Sequence, residues 1–194
     1  MTRLEKGLAT RERIVSAATR AFTTVGYDGT SIEDLLGELQ ISRGALYHHF
    51  DSKEAIFEAV LEKIEADIAK ATVDATAGIK DPVVALRTGC DAFLRMAREE
   101  KVRRIVLIDA PAALGWEKWR EIDARHGFGL MKATLKAITK KGLLRSELTE
   151  TFAHILLASL METALVIARA DNVAKATRNG RAAIRELIDK LLQA

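Results

Sequence analysis

Residues 31–50 read SIEDLLGELQISRGALYHHF. Apolar residues recur there at helical spacing on both sides of a short turn. Ser31 and Ser42 are of the residue type that begins helices, and Asp34 follows Ser31 at the spacing of a capping box. The stretch therefore predicts two short amphipathic helices joined by a turn, which is the size and pattern of a helix-turn-helix.

The second of these helices is too short to be stable alone, so it must pack through its apolar side. Leu46 and Phe50 supply that side, which leaves a polar outer face with little bulk. Arg43 suits a bidentate contact with guanine, while Tyr47 and Lys53 suit phosphate oxygens. The outer face consists of Arg43, Gly44, Ala45, Tyr47, His48 and His49. By pattern alone, DNA binding and ordinary helix packing both stay open.

The rest of the chain predicts an all-α fold of about nine helices. Strand-like runs are scarce, and helix-favouring residues dominate. The expected helices cover residues 10–25, 32–39, 43–49, 53–77, 82–99, 101–109, 116–141, 149–169 and 172–194. We expect Pro111 to end the sixth helix and Gly142 to end the seventh. We expect two domains, with residues 1–52 as the helix-turn-helix domain and residues 53–194 as the remainder.

The amino-acid composition limits which classes of protein the chain can belong to. The chain has 194 residues, a formal net charge of +3 and one cysteine, so no intrachain disulfide is expected. A mildly basic balance permits an anionic partner without requiring one. No secretory signal and no membrane-length apolar run is evident, which predicts a cytoplasmic protein without a membrane partner. We expect no cofactor, and no bound metal, because no histidine or cysteine spacing is typical of zinc sites.

Three parts of the N-terminal region form a recognisable pattern: Gly26-Tyr27, Thr30-Ser31 and the block from Ser42 to Glu54. This pattern resembles the signature of the TetR (tetracycline-repressor) family of transcriptional regulators. It implies an all-α homodimer with an N-terminal DNA-binding domain and a C-terminal domain that dimerises and binds a small effector. It places the DNA contacts on Ser31, Arg43, Ala45, Tyr47, His48, His49 and Lys53, and it adds a phosphate contact by Thr30.

The chain departs from the family pattern in its turn. Gln40 stands where glycine is frequent, and Leu36 and Leu39 stand where small residues are frequent. A turn residue that needs a left-handed backbone is poorly served by glutamine. We therefore expect altered packing and turn geometry around an otherwise intact motif.

The C-terminal half contains aromatic, sulfur-containing and polar residues that suit a small-molecule pocket. Its candidate lining is Phe93, Met96, Arg103, Asp109, Trp116, Trp119, His126, Phe128, Met131, Met161 and Thr163. Such residues at helical spacing also form ordinary cores, so both interpretations stay open. The lining favours an apolar or amphipathic effector. Cys90 is either a redox sensor or inert packing.

The last two helices carry broad apolar faces with small residues between them. These faces form either a core or a self-complementary dimer interface, as the resemblance implies. A dimer predicts an inverted-repeat operator on double-stranded DNA. We expect a charge at Leu160 or Leu187 to produce monomers.

Two other functions compete with regulation. An enzyme is disfavoured because phosphate-loop, dinucleotide, nucleophile-elbow and metal-helix motifs are not found. A ligand-binding scaffold with a vestigial DNA domain is disfavoured by the intact set of Arg43, Tyr47 and Lys53.

Overall fold

The computed structural model describes residues 2–192, and within that range the chain is entirely helical. Nine α-helices are present there, joined by short turns, one π-helical segment and one 3-10 turn. The α-helices are α1 (Arg3–Gly29), α2 (Ile32–Leu39), α3 (Arg43–Tyr47), α4 (Lys53–Thr76), α5 (Pro82–Met96), α6 (Ala110–Arg125), α7 (Gly127–Lys140), α8 (Thr149–Ala168) and α9 (Val173–Leu192). The π-helical segment is Val102–Asp109, and the 3-10 turn is Ser146–Leu148. The expected all-α fold is confirmed.

The chain folds into two compact units. The N-terminal unit contains residues 1–64 and 100–119, and the C-terminal unit contains residues 65–99 and 120–194. Residues 100–119, which the sequence analysis placed in the second domain, pack with the first unit. The functional division after residue 52 stays a prediction.

Aromatic packing holds the N-terminal unit together. Phe22 of α1 and Phe57 of α4 are fully buried, with ring centroids 5.1 Å apart in an edge-to-face arrangement. Tyr27 completes the cluster at 5.0 Å from Phe57. Such pairs add to the hydrophobic stabilisation of a core. The cluster fixes α4 against α1, and these helices support the helix-turn-helix.

The first helix is longer than expected because a capping box begins it at the N-terminus. The Thr2 side chain accepts a hydrogen bond from the Glu5 amide, and the Glu5 carboxylate accepts one from the Thr2 amide. The helix bends at Gly26, where φ is 81° and ψ is 176°. That backbone conformation is open to glycine and strained for other residues.

Two expected helix ends are wrong. Pro111 does not end a helix, because it lies in the first turn of α6, where its missing amide is tolerated. The expected helix over residues 116–141 is two helices, separated at His126, where φ is −122° and ψ is −105°. Gly129 follows the break, and a Cβ there would lie 2.6 Å from the Ala124 carbonyl oxygen. Gly142 ends α7 with a φ of 74°, as expected.

Helices α5, α7, α8 and α9 lie in the C-terminal unit, together with the end of α4 and the end of α6. Gly180 of α9 lies against α8, and a Cβ there would be 2.7 Å from Thr163 Cγ2. Asp91 of α5 is buried and accepts hydrogen bonds from Arg181 and Arg185 of α9. These hydrogen bonds hold the pKa of Asp91 below its usual range despite burial. Close packing and a buried carboxylate together attach α9 to the unit.

One helical segment corrects the expectation that no apolar run has membrane length. Residues 146–168, which include α8, are long and apolar enough to cross a membrane, although one such helix is weak evidence for a membrane protein. One side of α8 supplies the core of the C-terminal unit through Leu156, Leu160 and Ala164. Ile155 and Val166 remain exposed on the opposite side.

Candidate nucleic-acid interface

Helix α2 begins with the capping box that the sequence predicts. The Ser31 hydroxyl oxygen accepts a hydrogen bond from the Asp34 amide at 3.1 Å, and the Asp34 carboxylate accepts one from the Ser31 amide at 3.3 Å. The Ser31 hydroxyl also donates to the Asp34 carboxylate at 2.6 Å. Reciprocal capping fixes the start of α2 and commits the Ser31 side chain to the helix.

The turn after α2 contains the left-handed residue that the sequence analysis considered costly. Gln40 has a φ of 53° and a ψ of 45°. Arg13 of α1 donates a hydrogen bond to the Leu39 carbonyl at 3.3 Å, which satisfies one acceptor at the end of α2. Tertiary contacts therefore hold the turn in a conformation that the residue at its centre disfavours.

Helix α3 presents the polar face predicted for it. Ser42 caps its start by accepting a hydrogen bond from the Ala45 amide at 3.2 Å. Leu46 and Phe50 are buried in the N-terminal unit. Arg43, Gly44, Tyr47 and His48 are exposed, whereas Ala45 and His49 are half-buried. The two buried anchors thus orient a small, polar surface toward solvent.

Arg43 has an internal partner that the sequence analysis did not identify. Its guanidinium forms an ion pair with the Glu33 carboxylate in the first turn of α2. The Glu33 amide at the helix start and the Arg43 guanidinium lower the pKa of Glu33. Glu33 is therefore ionised at neutral pH.

Lys53, the first residue of α4, makes internal contacts as well as being a predicted phosphate contact. Its ammonium donates hydrogen bonds to the Tyr27 carbonyl at 3.0 Å and the Thr30 carbonyl at 3.1 Å. It also lies 4.2 Å from the centre of the Tyr27 ring. An ammonium has three donors, so one remains for a phosphate. No local sequence pattern predicts this capping role.

Thr30 makes internal hydrogen bonds, and its expected phosphate contact stays a prediction. Thr30 is buried, and its hydroxyl donates to the Gly26 carbonyl at 2.8 Å. Its amide donates to the Tyr27 carbonyl at 3.3 Å. Thr30 therefore closes the end of α1 and does not present a donor to solvent.

Sequence profiles and known proteins agree on the family. The profile for bacterial regulatory proteins of the tetR family matches residues 14–60, and the profile for a tetracyclin repressor-like C-terminal domain matches residues 83–191. The second match alone covers more than half of the chain. The chain belongs to the TetR family. It is a DNA-binding transcriptional regulator.

Individual relatives fit this TetR-family assignment. The transcriptional repressor NicS of Pseudomonas putida is 29% identical over 164 residues, covering 81% of this chain and 76% of NicS. The negative transcriptional regulator IcaR of Staphylococcus aureus is 40% identical over 48 residues, covering 25% of this chain and 26% of IcaR. A TetR-family regulator from Pectobacterium atrosepticum has a solved structure with a TM-score of 0.78 and 31% identity, covering 99% of this chain and 98% of that one.

The predicted effector residues of this TetR-family chain fall into both compact units. Arg103, Asp109, Trp116 and Trp119 belong to the N-terminal unit. Trp116 is exposed and Trp119 is buried, with ring centroids 5.3 Å apart. Arg103 pairs with Glu100 on its own helical segment. For the tryptophan pair an effector role stays a prediction.

Asp109 has a structural task in the N-terminal unit. Its carboxylate accepts hydrogen bonds from the Tyr27 amide at 2.9 Å and from Arg104 Nε at 3.2 Å. Arg104 Nη2 also donates to the Val25 carbonyl at 3.4 Å. The π-helical segment is thus attached to the bend of α1 at Gly26. We call this set of contacts the α1 junction.

The remaining candidates lie in the C-terminal unit. Phe93, Met96, His126, Met131 and Met161 are half-buried, and Phe128 is buried with its ring centroid 4.5 Å from that of His154. Thr163 packs its methyl group toward Gly180, and its hydroxyl donates to the Ser159 carbonyl at 2.6 Å. Thr163 therefore belongs to the contact between α8 and α9. For the other residues an effector role stays a prediction.

Cys90 lies within α5 and is buried. Burial and the neighbouring Asp91 carboxylate raise the pKa of its thiol to about 12. Redox sensing depends on an accessible thiolate, which this environment disfavours. Inert packing is the better interpretation of Cys90.

Proposed function

We propose that this regulator is a repressor that binds its operator through α2 and α3. The observation that carries the proposal is the exposed face of α3, where Arg43, Gly44, Tyr47 and His48 stand above the buried anchors Leu46 and Phe50. Recognition helices of helix-turn-helix proteins use the start of the second helix to contact base edges. The name of NicS, a transcriptional repressor, supports repression as the regulatory outcome.

Each residue of the interface has a proposed role. Arg43 contacts a guanine through O6 and N7, while Gly44 and Ala45 allow close approach to the base edges. Tyr47, His48 and His49 complete the contacts to bases and phosphates. Ser31 contacts a phosphate at the start of α2 when its hydroxyl turns from Asp34 to the DNA, and the third donor of Lys53 contacts another phosphate. Phosphate contacts position the protein, and base contacts supply the sequence preference.

Arg43→Ala tests the DNA-binding proposal directly. We expect it to cost about 1–3 kcal/mol of binding free energy and to relax specificity at one base pair, because a bidentate arginine reads guanine. Fluorescence anisotropy would measure this on a duplex selected from random sequences by the parent protein, and on single-base variants of it. Equal binding of every duplex by Arg43→Ala and the parent would contradict the assignment.

We further propose that α8 and α9 form the homodimer interface. TetR-family regulators are dimers, and α8 leaves Ile155 and Val166 exposed although the helix is strongly apolar. Two copies of each helix would make a four-helix bundle around a twofold axis. The operator is then an inverted repeat, with half-sites about 34–36 Å apart or a multiple of that distance.

The C-terminal half supports a second element of regulation, which is release by a small effector. Residues 100–119 carry Trp116 and Trp119 and pack in the same unit as the helix-turn-helix. The α1 junction connects this segment to the bend of α1 at Tyr27, whose carbonyl accepts a hydrogen bond from Lys53. A ligand that prefers one conformation of this segment would shift the DNA-binding unit with it. The lining favours an apolar or amphipathic molecule.

Effector release predicts reciprocal coupling. A ligand that weakens operator binding tenfold must itself bind tenfold more weakly when operator is present, because binding free energies are linked. Tryptophan fluorescence during a screen of apolar and amphipathic molecules would identify ligands, and a Trp116→Phe control would assign the signal. Titrations with and without operator would then measure the coupling. A ligand that quenches Trp116 but binds equally in both titrations would refute it.

Enzymatic activity and a membrane location do not fit this proposal. The relatives are transcriptional regulators, which belong to a non-enzymatic family. We propose that the protein acts in the cytoplasm, where its DNA target is. The apolar character of α8 is then explained by the core on one side and the dimer interface on the other.

A further inference from the structure

The ion pair between Glu33 and Arg43 joins the two helices of the helix-turn-helix. Glu33 is the second residue of α2, and Arg43 is the first residue of α3. Their side chains are 64% and 57% exposed, so the pair lies on the solvent side of the motif. In the free protein, the residue proposed to read a base therefore already has a carboxylate partner.

A carboxylate and a guanine edge compete for the same chemistry. Both present acceptor atoms that match the forked N–H groups of a guanidinium. Glu33 is fixed at the start of α2, where its ionised form is favoured by the helix N-terminus. The Arg43 Nη2 atom holds the Glu33 carboxylate, so a bidentate contact that uses this nitrogen on a guanine competes with the ion pair.

We propose that Glu33 sets the operator affinity by holding Arg43 in the free protein as an internal competitor of the base. The inference rests on the proposed DNA-binding role of Arg43. Nonspecific duplexes, held through phosphates, leave the ion pair intact. The cognate duplex breaks it, and its binding is weakened by the strength of the pair.

Glu33→Gln tests this inference by removing the competitor. Exposed ion pairs are weak, so we expect cognate affinity to rise about two- to fivefold. Removing any acidic residue near DNA also raises affinity through general electrostatics. Glu38→Gln is the matched control, because it makes the same charge change on α2 and releases a different arginine, Arg20.

The deciding measurement is a double-mutant cycle with Arg43→Ala. In the parent background, we expect Glu33→Gln to raise cognate affinity more than Glu38→Gln does. In the Arg43→Ala background, we expect this difference in affinity to disappear. Additive effects, or a loss of cognate affinity in Glu33→Gln, would overturn the inference. Failure of the parent protein to select or bind any duplex would instead overturn the proposed function. Circular dichroism of each variant would establish that the fold is retained.

Discussion

Replacing Ile155 and Val166 together by glutamate is expected to produce monomers and to weaken operator binding at least about a hundredfold. The two side chains are 43% and 55% exposed on α8 in the single chain, so the protomer does not need them for its own core. In a twofold interface each new carboxylate would face apolar side chains and other carboxylates, including Glu162 on the same exposed side of α8. A monomer retains only one half-site contact and loses the avidity of the pair.

Sedimentation velocity and anisotropy with the selected duplex would measure the two effects together. Val84→Glu is a control for adding a carboxylate at an exposed apolar position, because Val84 is 46% exposed and belongs to α5, outside the proposed α8–α9 interface. The charge at Leu160 suggested by the sequence would be a poor test, since Leu160 is 2% exposed and supports the protomer core. A double variant that stays dimeric would exclude the exposed side of α8 as the interface.

Local sequence signals were sufficient for the helix-turn-helix. Ser31 and Asp34 are three residues apart, and a capping box depends only on that spacing and a following helix. Leu46 and Phe50 are one helical turn apart, so their shared burial also follows from periodicity. The exposed residues of α3 could be predicted because they lie on the side of the helix opposite Leu46 and Phe50.

Long-range contacts could not be predicted in the same way. Asp109 binds the Tyr27 amide across 82 residues of sequence, and no local pattern encodes that pairing. The capping roles of Lys53 and Thr30 depend on where the bend of α1 places their partners. Residue type suggested a phosphate contact for Lys53, and the family resemblance suggested one for Thr30. The hydrogen-bonding capacity of these side chains could be predicted from the sequence. The groups that they bind in the folded chain could not.

The helix boundaries illustrate the same limit. Pro111 was expected to end a helix because proline cannot donate a backbone hydrogen bond. At the first turn of α6 that donor is not required, so the same residue is tolerated as the second residue of a helix. The break at His126 lies next to Gly127 and Gly129. A glycine lowers the stability of a helix by only about 1 kcal/mol, so tertiary packing decides whether the helix continues or breaks there.

Gly26→Ala is expected to lower the free energy of unfolding by about 1–3 kcal/mol, because alanine must adopt a strained backbone there. A new Cβ would also lie 1.9 Å from Arg104 Nη2, so the Arg104 side chain would have to move away from Asp109. For a chain of this size, each kcal/mol lowers Tm by about 2–4 °C. Urea and thermal unfolding followed by circular dichroism would measure the change.

Gly37→Ala gives the matched control for this prediction. Gly37 lies on α2 in the same unit, and a Cβ there would have nothing within 4 Å. Alanine is favoured over glycine in a helix, so Gly37→Ala should be neutral or stabilise by up to about 1 kcal/mol. Arg104→Ala separates the two causes, because it removes the side-chain contacts without straining the backbone. If Gly26→Ala were as stable as Gly37→Ala, the bend of α1 would not require glycine, and the α1 junction would lose its structural basis.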